Sequence, residues 1–308
     1  MYKIANDKMG IDKLQKGDII GIVCPSHIAS AERHKQSIKT LEGIGYRVQL
    51  GGNVYKTTYG YLASEQERAD DFNAMVADEN VKMVLFGGGE GGNELLPLID
   101  YELMKRNPKI YCSFSDGTTI LNAIHSMTGL TTYYGQGPGM FNDLRYYDYI
   151  QFVSHFSEET PKEFVKNTDW ITLNGGICEG VLTGGYTRNF ALLLGSKYFG
   201  YDSRQKYILF LEDHEKFSNI AKVSSFISHI EQHDFIQNVT GLMFGHYSEI
   251  LHDDLLNRLE RFGKKHSVPV IYCDDFGHGV NHAIFPLGSK AELNADTQNL
   301  RFLGMAFA

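Results

Sequence analysis

Residues 81–124, VKMVLFGGGEGGNELLPLIDYELMKRNPKIYCSFSDGTTILNAI, contain two apolar segments of strand length, each followed by a polar turn and a helical pattern. The segments 81–86 and 109–114 predict two buried strands. Strands that alternate with helices in this rhythm predict βαβ units and a parallel sheet. Ligands of such sheets bind at the carboxyl ends of the strands, which makes the two polar turns the first places to look for a site.

The same rhythm extends toward the start of the chain, where a further strand, helix, strand and helix are expected before residue 81. The predicted elements are strands at 18–24 and 46–50, and helices at 31–44, at 65–78, from near Glu94, and at about 118–127.

The character of the sequence changes after about residue 140. Residues 142–169 are rich in Tyr, Phe and charge without a clean period, and predict a connector with some helix. From residue 170 onward come short strands and one predicted helix at roughly 217–233. Because 308 residues are long for one hydrophobic core, we predict an α/β N-terminal domain at 1–141 and a smaller β-rich C-terminal domain at 170–308.

Composition and charge exclude several classes of protein. With 37 acidic and 29 basic residues the formal charge is −8, which disfavours a nucleic-acid binder. The start of the chain is polar and lacks the apolar core of a secretory signal. The longest apolar runs are strand-length and too short to cross a bilayer. We therefore expect a cytoplasmic protein without membrane partners.

Neither the cysteines nor the paired histidines predict a metal or redox site. His229 and His233 lie four apart on a predicted helix, but Ile230 stands where the zinc-peptidase motif needs glutamate. The cysteines are widely spaced without a CxxC pair, so they predict buried free thiols. They are Cys24, Cys112, Cys178 and Cys273.

Ser115 is the candidate nucleophile. It stands where a predicted strand turns into a helix, so that the following N–H groups can stabilise an oxyanion. The context from Ser113 to Gly117, SFSDG, is close to the GxSxG elbow, with serine in place of the first glycine. Helix capping is the competing interpretation, because serine is a preferred N-cap residue.

The glycine-rich turn after residue 86 allows two interpretations. Gly87, Gly89 and Gly92 satisfy the GxGxxG fingerprint, with Asp116 some twenty residues on, which predicts dinucleotide binding. That fingerprint normally occupies the first strand–helix turn of its unit, whereas two strand–helix pairs precede this one. In the other interpretation the turn brings backbone N–H groups to a substrate carbonyl.

Candidates for the base and the acid lie in the second half of the chain. His278, in the loop DFGHG, and His282 compete for the role of base. Glu212 ends the apolar run YILFLE, where a carboxylate can hold an imidazole in one tautomer. Asp213 beside it is the alternative acid.

Together these segments resemble the LD-carboxypeptidase family of serine peptidases over nearly the whole chain, from VCPSHIAS to GHGVNHAIFPLG. The most specific stretch is 91–137. The resemblance implies a flavodoxin-like N-terminal half, a β-rich C-terminal half, and commonly a dimer. It also implies that Ser115 is the nucleophile, Glu212 the triad acid, and His278 rather than His282 the base.

The sequence departs from the family pattern around the pocket. The usual GGYGS turn is GGEGG here, with Glu90 in place of the aromatic residue and Gly92 in place of serine. An acidic group near a site for an anionic carboxylate is unfavourable unless a cation offsets it, and Arg188 is the candidate cation. We predict that Glu90, Gly91 and Arg188 contact the substrate.

Three hypotheses follow from the sequence. The first is a serine carboxypeptidase that needs no cofactor or metal, acts on muropeptides or peptidyl nucleotides, and takes its oxyanion donors from Asp116 and Gly89. The second is a dinucleotide-binding oxidoreductase that uses the glycine turn. The third is a ligand-binding relative that has lost turnover.

Overall fold

The computed structural model of the protein describes residues 11–27, 29–158 and 161–304. The first ten residues of the predicted N-terminal domain and the last four of the C-terminal domain lie outside the described residues. So do Ile28 in VCPSHIAS and residues 159–160 of the predicted connector. Within the described ranges, every helix is too short or too polar to span a membrane.

A mainly parallel sheet dominates the first half of the chain, as predicted. Its six strands are β1 (Ile19–Val23), β2 (Arg47–Leu50), β3 (Val81–Phe86), β4 (Ile110–Ser113), β5 (Thr132–Tyr134) and β11 (Phe285–Leu287). They lie in the order β11–β5–β4–β3–β1–β2, and β11 alone is antiparallel to its neighbour. The accompanying helices are α1 (Ala31–Gly43), α2 (Glu65–Ala77), α3 (Tyr101–Arg106), α4 (Gly117–Thr128) and α5 (Tyr146–Phe156).

The helices begin where polar side chains can satisfy free backbone N–H groups. Ser30 accepts a hydrogen bond from the Arg33 N–H at the start of α1. Ser64 and Glu67 form a capping box at the start of α2, each side chain bonding the other residue's N–H. These local signals explain why the first helices lie within a residue or two of their predicted bounds.

One predicted helix of this half is wrong. Where a helix was expected from near Glu94, the chain forms a short 3-10 helix at Gly92–Leu95. Pro97 follows shortly after it and has no backbone N–H to donate to the Asn93 carbonyl, so the helix does not continue. The α-helix starts instead at Tyr101, after Asp100 accepts a hydrogen bond from the Leu103 N–H.

The second sheet has seven strands, four of which form a parallel centre. Its strands are β6 (Ile171–Asn174), β7 (Ile177–Tyr186), β8 (Tyr207–Glu212), β9 (Val239–His246), β10 (Val270–Gly277), β12 (Lys290–Asn294) and β13 (Asn299–Gly304). The order is β13–β12–β7–β8–β9–β10–β6, with β7 to β10 parallel. The helices α6 (Thr187–Leu193), α7 (Ile220–Gln232) and α8 (Asp253–His266) connect these strands, although only α7 was predicted.

The two sheets meet across helix α4 and strand β11. Strand β11 comes from the second half of the chain but pairs with β5 of the first sheet. Thr118 Oγ1 on α4 accepts a hydrogen bond from the Tyr186 N–H at 2.8 Å, and Asn122 Nδ2 donates to the Gly184 carbonyl at 2.9 Å. Helix α4 therefore carries the residues just before it directly to the seam between the sheets. The predicted division at residues 141 and 169 stays a prediction.

Candidate active site

Ser115 lies at the seam in a strained backbone conformation. It stands between the end of β4 and the start of α4 with φ of 56°, a value that few non-glycine residues adopt. Its backbone N–H donates to the Tyr134 hydroxyl at 3.2 Å. Its own hydroxyl lies 2.9 Å from Nε2 of His278, and the N-cap of α4 is Asp116. The side chain of Ser115 is thus directed to the imidazole and does not cap the helix.

Glu212 and His278 reach Ser115 from the second sheet. Glu212 is the last residue of β8 and His278 follows β10, and the carboxyl ends of these strands share one edge because β7 to β10 are parallel. Nδ1 of His278 lies 2.8 Å from Oε2 of Glu212. This network assigns the ring proton to Nδ1, so that Nε2 accepts from the Ser115 hydroxyl. Gly277 allows the approach, since its φ is 109° and a Cβ there would lie 3.1 Å from Glu212 Oε2.

Glu212 is fully buried, and every hydrogen bond it makes helps to fix it. The Tyr134 hydroxyl donates to Oε1 at 2.5 Å, and the Thr187 hydroxyl donates to the Glu212 carbonyl at 2.8 Å. Tyr134 was not predicted from the sequence. Its position gave a signal, because it ends β5, the strand next to β4, where polar side chains of a parallel sheet converge.

The charge of Glu212 strengthens the affinity of the His278 imidazole for a proton. Burial lowers the pKa of His278, but the charge and hydrogen bond of Glu212 raise it, so that it lies above the ordinary value. Burial and the neighbouring Glu212 raise the pKa of Asp213 to about 7. Asp213 accepts from the His214 N–H at 2.8 Å, whereas Glu212 is the carboxylate that bonds His278.

The glycine turn packs directly against Ser115. A Cβ on Gly88 would lie 2.4 Å from the Ser115 Cβ, so that only glycine fits there without a shift. Gly89 has φ of 145° and packs on the Ser26 carbonyl, which also accepts from the Glu90 N–H at 2.8 Å. Gly88 is therefore the residue of the turn in contact with Ser115, and Gly89 is its neighbour.

The carboxylate of Asp116 serves the local structure. It is buried and accepts hydrogen bonds from the Gly92 N–H at 2.7 Å and from the Asn189 side chain at 2.5 Å. These contacts tie the glycine turn and helix α6 to the start of α4. The Asp116 backbone N–H follows Ser115 directly at this helix start.

The remaining pocket residues lie at the rim. Arg188 Nη1 pairs with Glu90 Oε1 at 3.1 Å, which joins the predicted cation to the predicted anion. The Gly91 carbonyl accepts from Arg68 at 3.1 Å. Aromatic rings surround the imidazole of His278 at centroid distances of 5.1 to 5.4 Å; they belong to Tyr186, Phe217 and Phe114.

The other histidines considered from the sequence make different contacts, and the glycine turn lacks the helix that dinucleotide binding needs. His282 Nδ1 pairs with Asp148 at 3.0 Å and does not reach Ser115. His233 accepts from the Phe235 N–H. Dinucleotide binding requires a helix that begins at the glycine turn. The short 3-10 helix and the buried, bonded Asp116 do not fit that requirement.

Sequence comparison identifies a family for both halves. The profile of the LD-carboxypeptidase N-terminal domain matches residues 20–135, and that of the LD-carboxypeptidase C-terminal domain matches residues 179–293. A Treponema pallidum protein described provisionally as a carboxypeptidase is 31% identical over 92% of this chain and 91% of its own. A probable murein peptide carboxypeptidase of Bacillus subtilis is 33% identical over 65% of this chain and 63% of its own.

Solved structures show the same fold. An MccF-like protein from Bacillus anthracis superposes with a TM-score of 0.87 at 25% identity, covering 96% of this chain and 100% of that one. The microcin C7 self-immunity protein MccF of Escherichia coli is 25% identical in sequence over 93% of both chains. Its structure with aspartyl sulfamoyl adenosine superposes with a TM-score of 0.84, covering 97% of this chain and 100% of that one.

Proposed function

The chain belongs to the LD-carboxypeptidase family of serine peptidases, and on that premise we propose that it is an active hydrolase with Ser115 as nucleophile, His278 as base and Glu212 as acid. Its substrate is a small peptide or peptidyl nucleotide with a free carboxylate. The supporting observation is the continuous hydrogen-bond chain from Ser115 Oγ through both ring nitrogens of His278 to Glu212, at 2.9 and 2.8 Å.

The reaction is an acyl transfer in two steps. In the first, Ser115 Oγ attacks the scissile carbonyl carbon while its proton moves to Nε2 of His278. Glu212 stabilises the resulting imidazolium, which then gives the proton to the leaving amine as the amide bond breaks. In the second step water loses a proton to His278, attacks the acyl-enzyme and releases the acid, which restores the Ser115 hydroxyl.

Two backbone donors stabilise the oxyanion in this proposal. The Asp116 N–H belongs to the residue after the nucleophile, at the start of α4, where the helix dipole favours negative charge. The second donor comes from the glycine turn, at Gly89 or its neighbour Gly88. Losing one such donor typically costs about 3–4 kcal/mol in the barrier.

Arg188 is the proposed anchor for the substrate carboxylate, with Glu90 and Gly91 beside it. Its guanidinium is partly exposed and pairs with Glu90, whose side chain is 79% exposed. An exposed partner of this kind is weakly bound, so an incoming carboxylate can replace it. The half-exposed ring of Phe217 near His278 offers a stacking surface for a planar group of the substrate.

The test compares the parent protein with Ser115→Ala on two substrate sets, tetrapeptide muropeptides and aminoacyl-sulfamoyl adenosines. We expect hydrolysis of one set by the parent and a loss of at least about 10⁴-fold in Ser115→Ala. Cys178→Ser, a change on β7 away from the triad, should keep the parental rate. If Ser115→Ala hydrolysed the substrate as fast as the parent, the assignment of the nucleophile would be wrong.

The family resemblance also implies a homodimer as the working form. Light scattering coupled to size-exclusion chromatography measures this directly, because the 34.7 kDa chain predicts a mass twice that value. A monomer over the full range of assay concentrations would contradict the proposed dimer and leave the proposed chemistry intact.

A further inference from the structure

A second cluster of reactive side chains lies on the other side of the glycine turn. Cys24 follows β1, His27 lies in the loop after it, and His34 lies in the first turn of α1. The Cys24 sulfur is 3.6 Å from Nε2 of His27 and 4.0 Å from Nε2 of His34. One ligand atom from each of the three residues falls within 4.8 Å of the others. No other group of His, Cys, Asp and Glu in the described ranges meets this distance test.

These separations fit the coordination shell of a zinc-class cation. With Zn–S near 2.3 Å and Zn–N near 2.0–2.1 Å, tetrahedral geometry places sulfur and nitrogen about 3.6 Å apart. The Cys24–His27 distance matches this value, and the Cys24–His34 distance needs a closure of about 0.4 Å. One thiolate and two imidazoles are a ligand set that zinc and its neighbours in the first transition row prefer over magnesium or calcium.

Both imidazoles present the same ring nitrogen to the thiol. Nε2 of His27 and Nε2 of His34 lie 3.6 and 4.0 Å from the Cys24 sulfur, so a metal bound to that sulfur would be bound through Nε2 of each ring. Tyr55 supports the second ring, since its hydroxyl lies 3.4 Å from His34 Nδ1, the nitrogen that would not face the metal.

An adjoining cavity provides space for a fourth ligand. It has a volume of about 170 Å³ and is lined by His27, His34, Ser30, Arg33 and Gly87 among others. A second, more open cavity lies beside it and shares Arg33, Gly139 and Asn142 with it. Three protein ligands with one open position are the arrangement in which a metal keeps a bound water.

We propose that Cys24, His27 and His34 form a binding site for a zinc-class transition-metal cation, with water from the adjoining cavity as the fourth ligand. The site is separate from the triad and does not depend on the proposed hydrolysis. It is nevertheless linked to the triad through the turn, because a Cβ on Gly87 would lie 2.8 Å from the His27 ring and one on Gly88 would meet Ser115. A bound cation holds His27 and thereby one side of the glycine turn.

Cobalt titration of the full-length protein tests this site. The protein is stripped with a chelator, reduced, desalted and titrated with Co²⁺ in the absence of oxygen. We expect saturation at one equivalent, with thiolate-to-cobalt charge transfer in the near ultraviolet and the visible bands of a four-coordinate ion. One equivalent of Zn²⁺ should abolish both. Absence of the charge-transfer band in the parent protein would overturn the proposal.

Matched variants assign the ligands. Cys24→Ser should lose the charge-transfer band, and His34→Gln should weaken Co²⁺ binding at least about tenfold. Cys178→Ser is the control, because Cys178 is more accessible than Cys24 and would bind metal first if any free thiol sufficed. A band that persists in Cys24→Ser, or that disappears in Cys178→Ser, would refute the site.

A measurement on the unaltered protein guards against variants that do not fold. X-ray absorption of the zinc-loaded parent should give one sulfur and two imidazole nitrogens in the first shell. A shell of oxygen and nitrogen without sulfur would contradict the proposal even if every variant failed to fold. Far-ultraviolet circular dichroism of each variant shows which of the spectroscopic losses can be interpreted.

Discussion

The two sides of the glycine turn carry similar side chains in opposite electrostatic states. On one side Ser115 follows strand β4 and meets His278, and on the other Cys24 follows strand β1 and meets His27. Glu212 raises the pKa of His278 above its ordinary value, whereas burial lowers that of His27 to about 4. The imidazole on the first side is bonded to a carboxylate, and the one on the second lies against a thiol.

A single buried carboxylate decides what an imidazole can do. Glu212 is fixed by Tyr134 and by its position at the end of β8, so its charge is available to His278 throughout a reaction. The carboxylate that acts on the Cys24 thiol is Asp71, which is held by Asn53. Burial, and to a smaller extent the charge of Asp71, raise the pKa of that thiol to about 12. The first arrangement suits proton transfer, whereas in the second a metal would have to displace the thiol proton.

The change with the largest expected effect is Glu212→Gln. It leaves the imidazole of His278 without a bonded carboxylate, like that of His27. We expect kcat to fall by about 10³–10⁴-fold, because the imidazolium loses its counter-charge and the ring loses its tautomer. His278 must be neutral to accept a proton, so activity rises with pH through its pKa. Removing the charge that raises this pKa should move the acidic limb of kcat/KM to lower pH.

The measurement for Glu212→Gln is a pH profile of kcat/KM for variant and parent. Asp213→Asn is the matched control. The charge of Asp213 raises the pKa of His278 less than that of Glu212 does, and it is Glu212 that bonds the ring. A Glu212→Gln profile whose acidic limb stayed at the parental pH would show that another group sets the limb.

A methyl group placed on either side of the turn gives the next largest effect. Gly88→Ala puts a Cβ 2.4 Å from that of Ser115, and a displacement of about 1 Å at a reacting group costs about 10²-fold in rate. Gly87→Ala puts a Cβ 2.8 Å from His27, so its main effect should be a weaker Co²⁺ affinity.

The pair is measured by kcat/KM and by cobalt titration of both variants. If the two substitutions changed both quantities to the same extent, the turn would move as one piece and the two sides would not be separable. The two sides are separable if Gly88→Ala lowers chiefly kcat/KM and Gly87→Ala lowers chiefly the Co²⁺ affinity.

The smallest effect is expected for Glu90→Gln at the rim. Glu90 is largely exposed although its partner Arg188 is only partly so, and the free energy of unfolding should therefore change by less than about 1 kcal/mol. Freeing Arg188 should lower KM for an anionic substrate by a few fold, with kcat unchanged. Glu102→Gln is the control, because Glu102 is an exposed partner of Lys105 on α3. An unaltered KM would show that Arg188 does not bind the substrate carboxylate.

Local signals in the sequence predicted most of the first sheet and missed part of the second half. Strands such as 81–86 were predicted because each is a mainly apolar run of strand length. The first helices were predicted well because polar capping residues precede them. Helix α8 was missed although Leu255, Leu259 and Phe262 recur at helical spacing on its buried face. The helix expected from near Glu94 was wrong because Pro97 has no backbone N–H with which to continue the short helix at Gly92–Leu95.

The residues of the candidate site were likewise predicted only in part. Ser115 and Glu212 were placed at strand ends from the sequence and His278 in a loop, and the family resemblance chose His278 over His282. Tyr134 was missed, although it is bonded to both Glu212 and Ser115. The spacing of Cys24, His27 and His34 carried no recognised motif, so the sequence predicted only a buried thiol.

The sequence alone determined the strand and helix rhythm, the capped helix starts and the residue types at each strand end, because these depend on neighbours within a few positions. Only the tertiary structure decided which of those side chains meet. Ser115 and His278 are 163 residues apart, and their contact depends on two sheets packing across α4 and β11. The pKa of an imidazole is likewise a property of the assembled fold, since burial and a fixed charge come from remote segments.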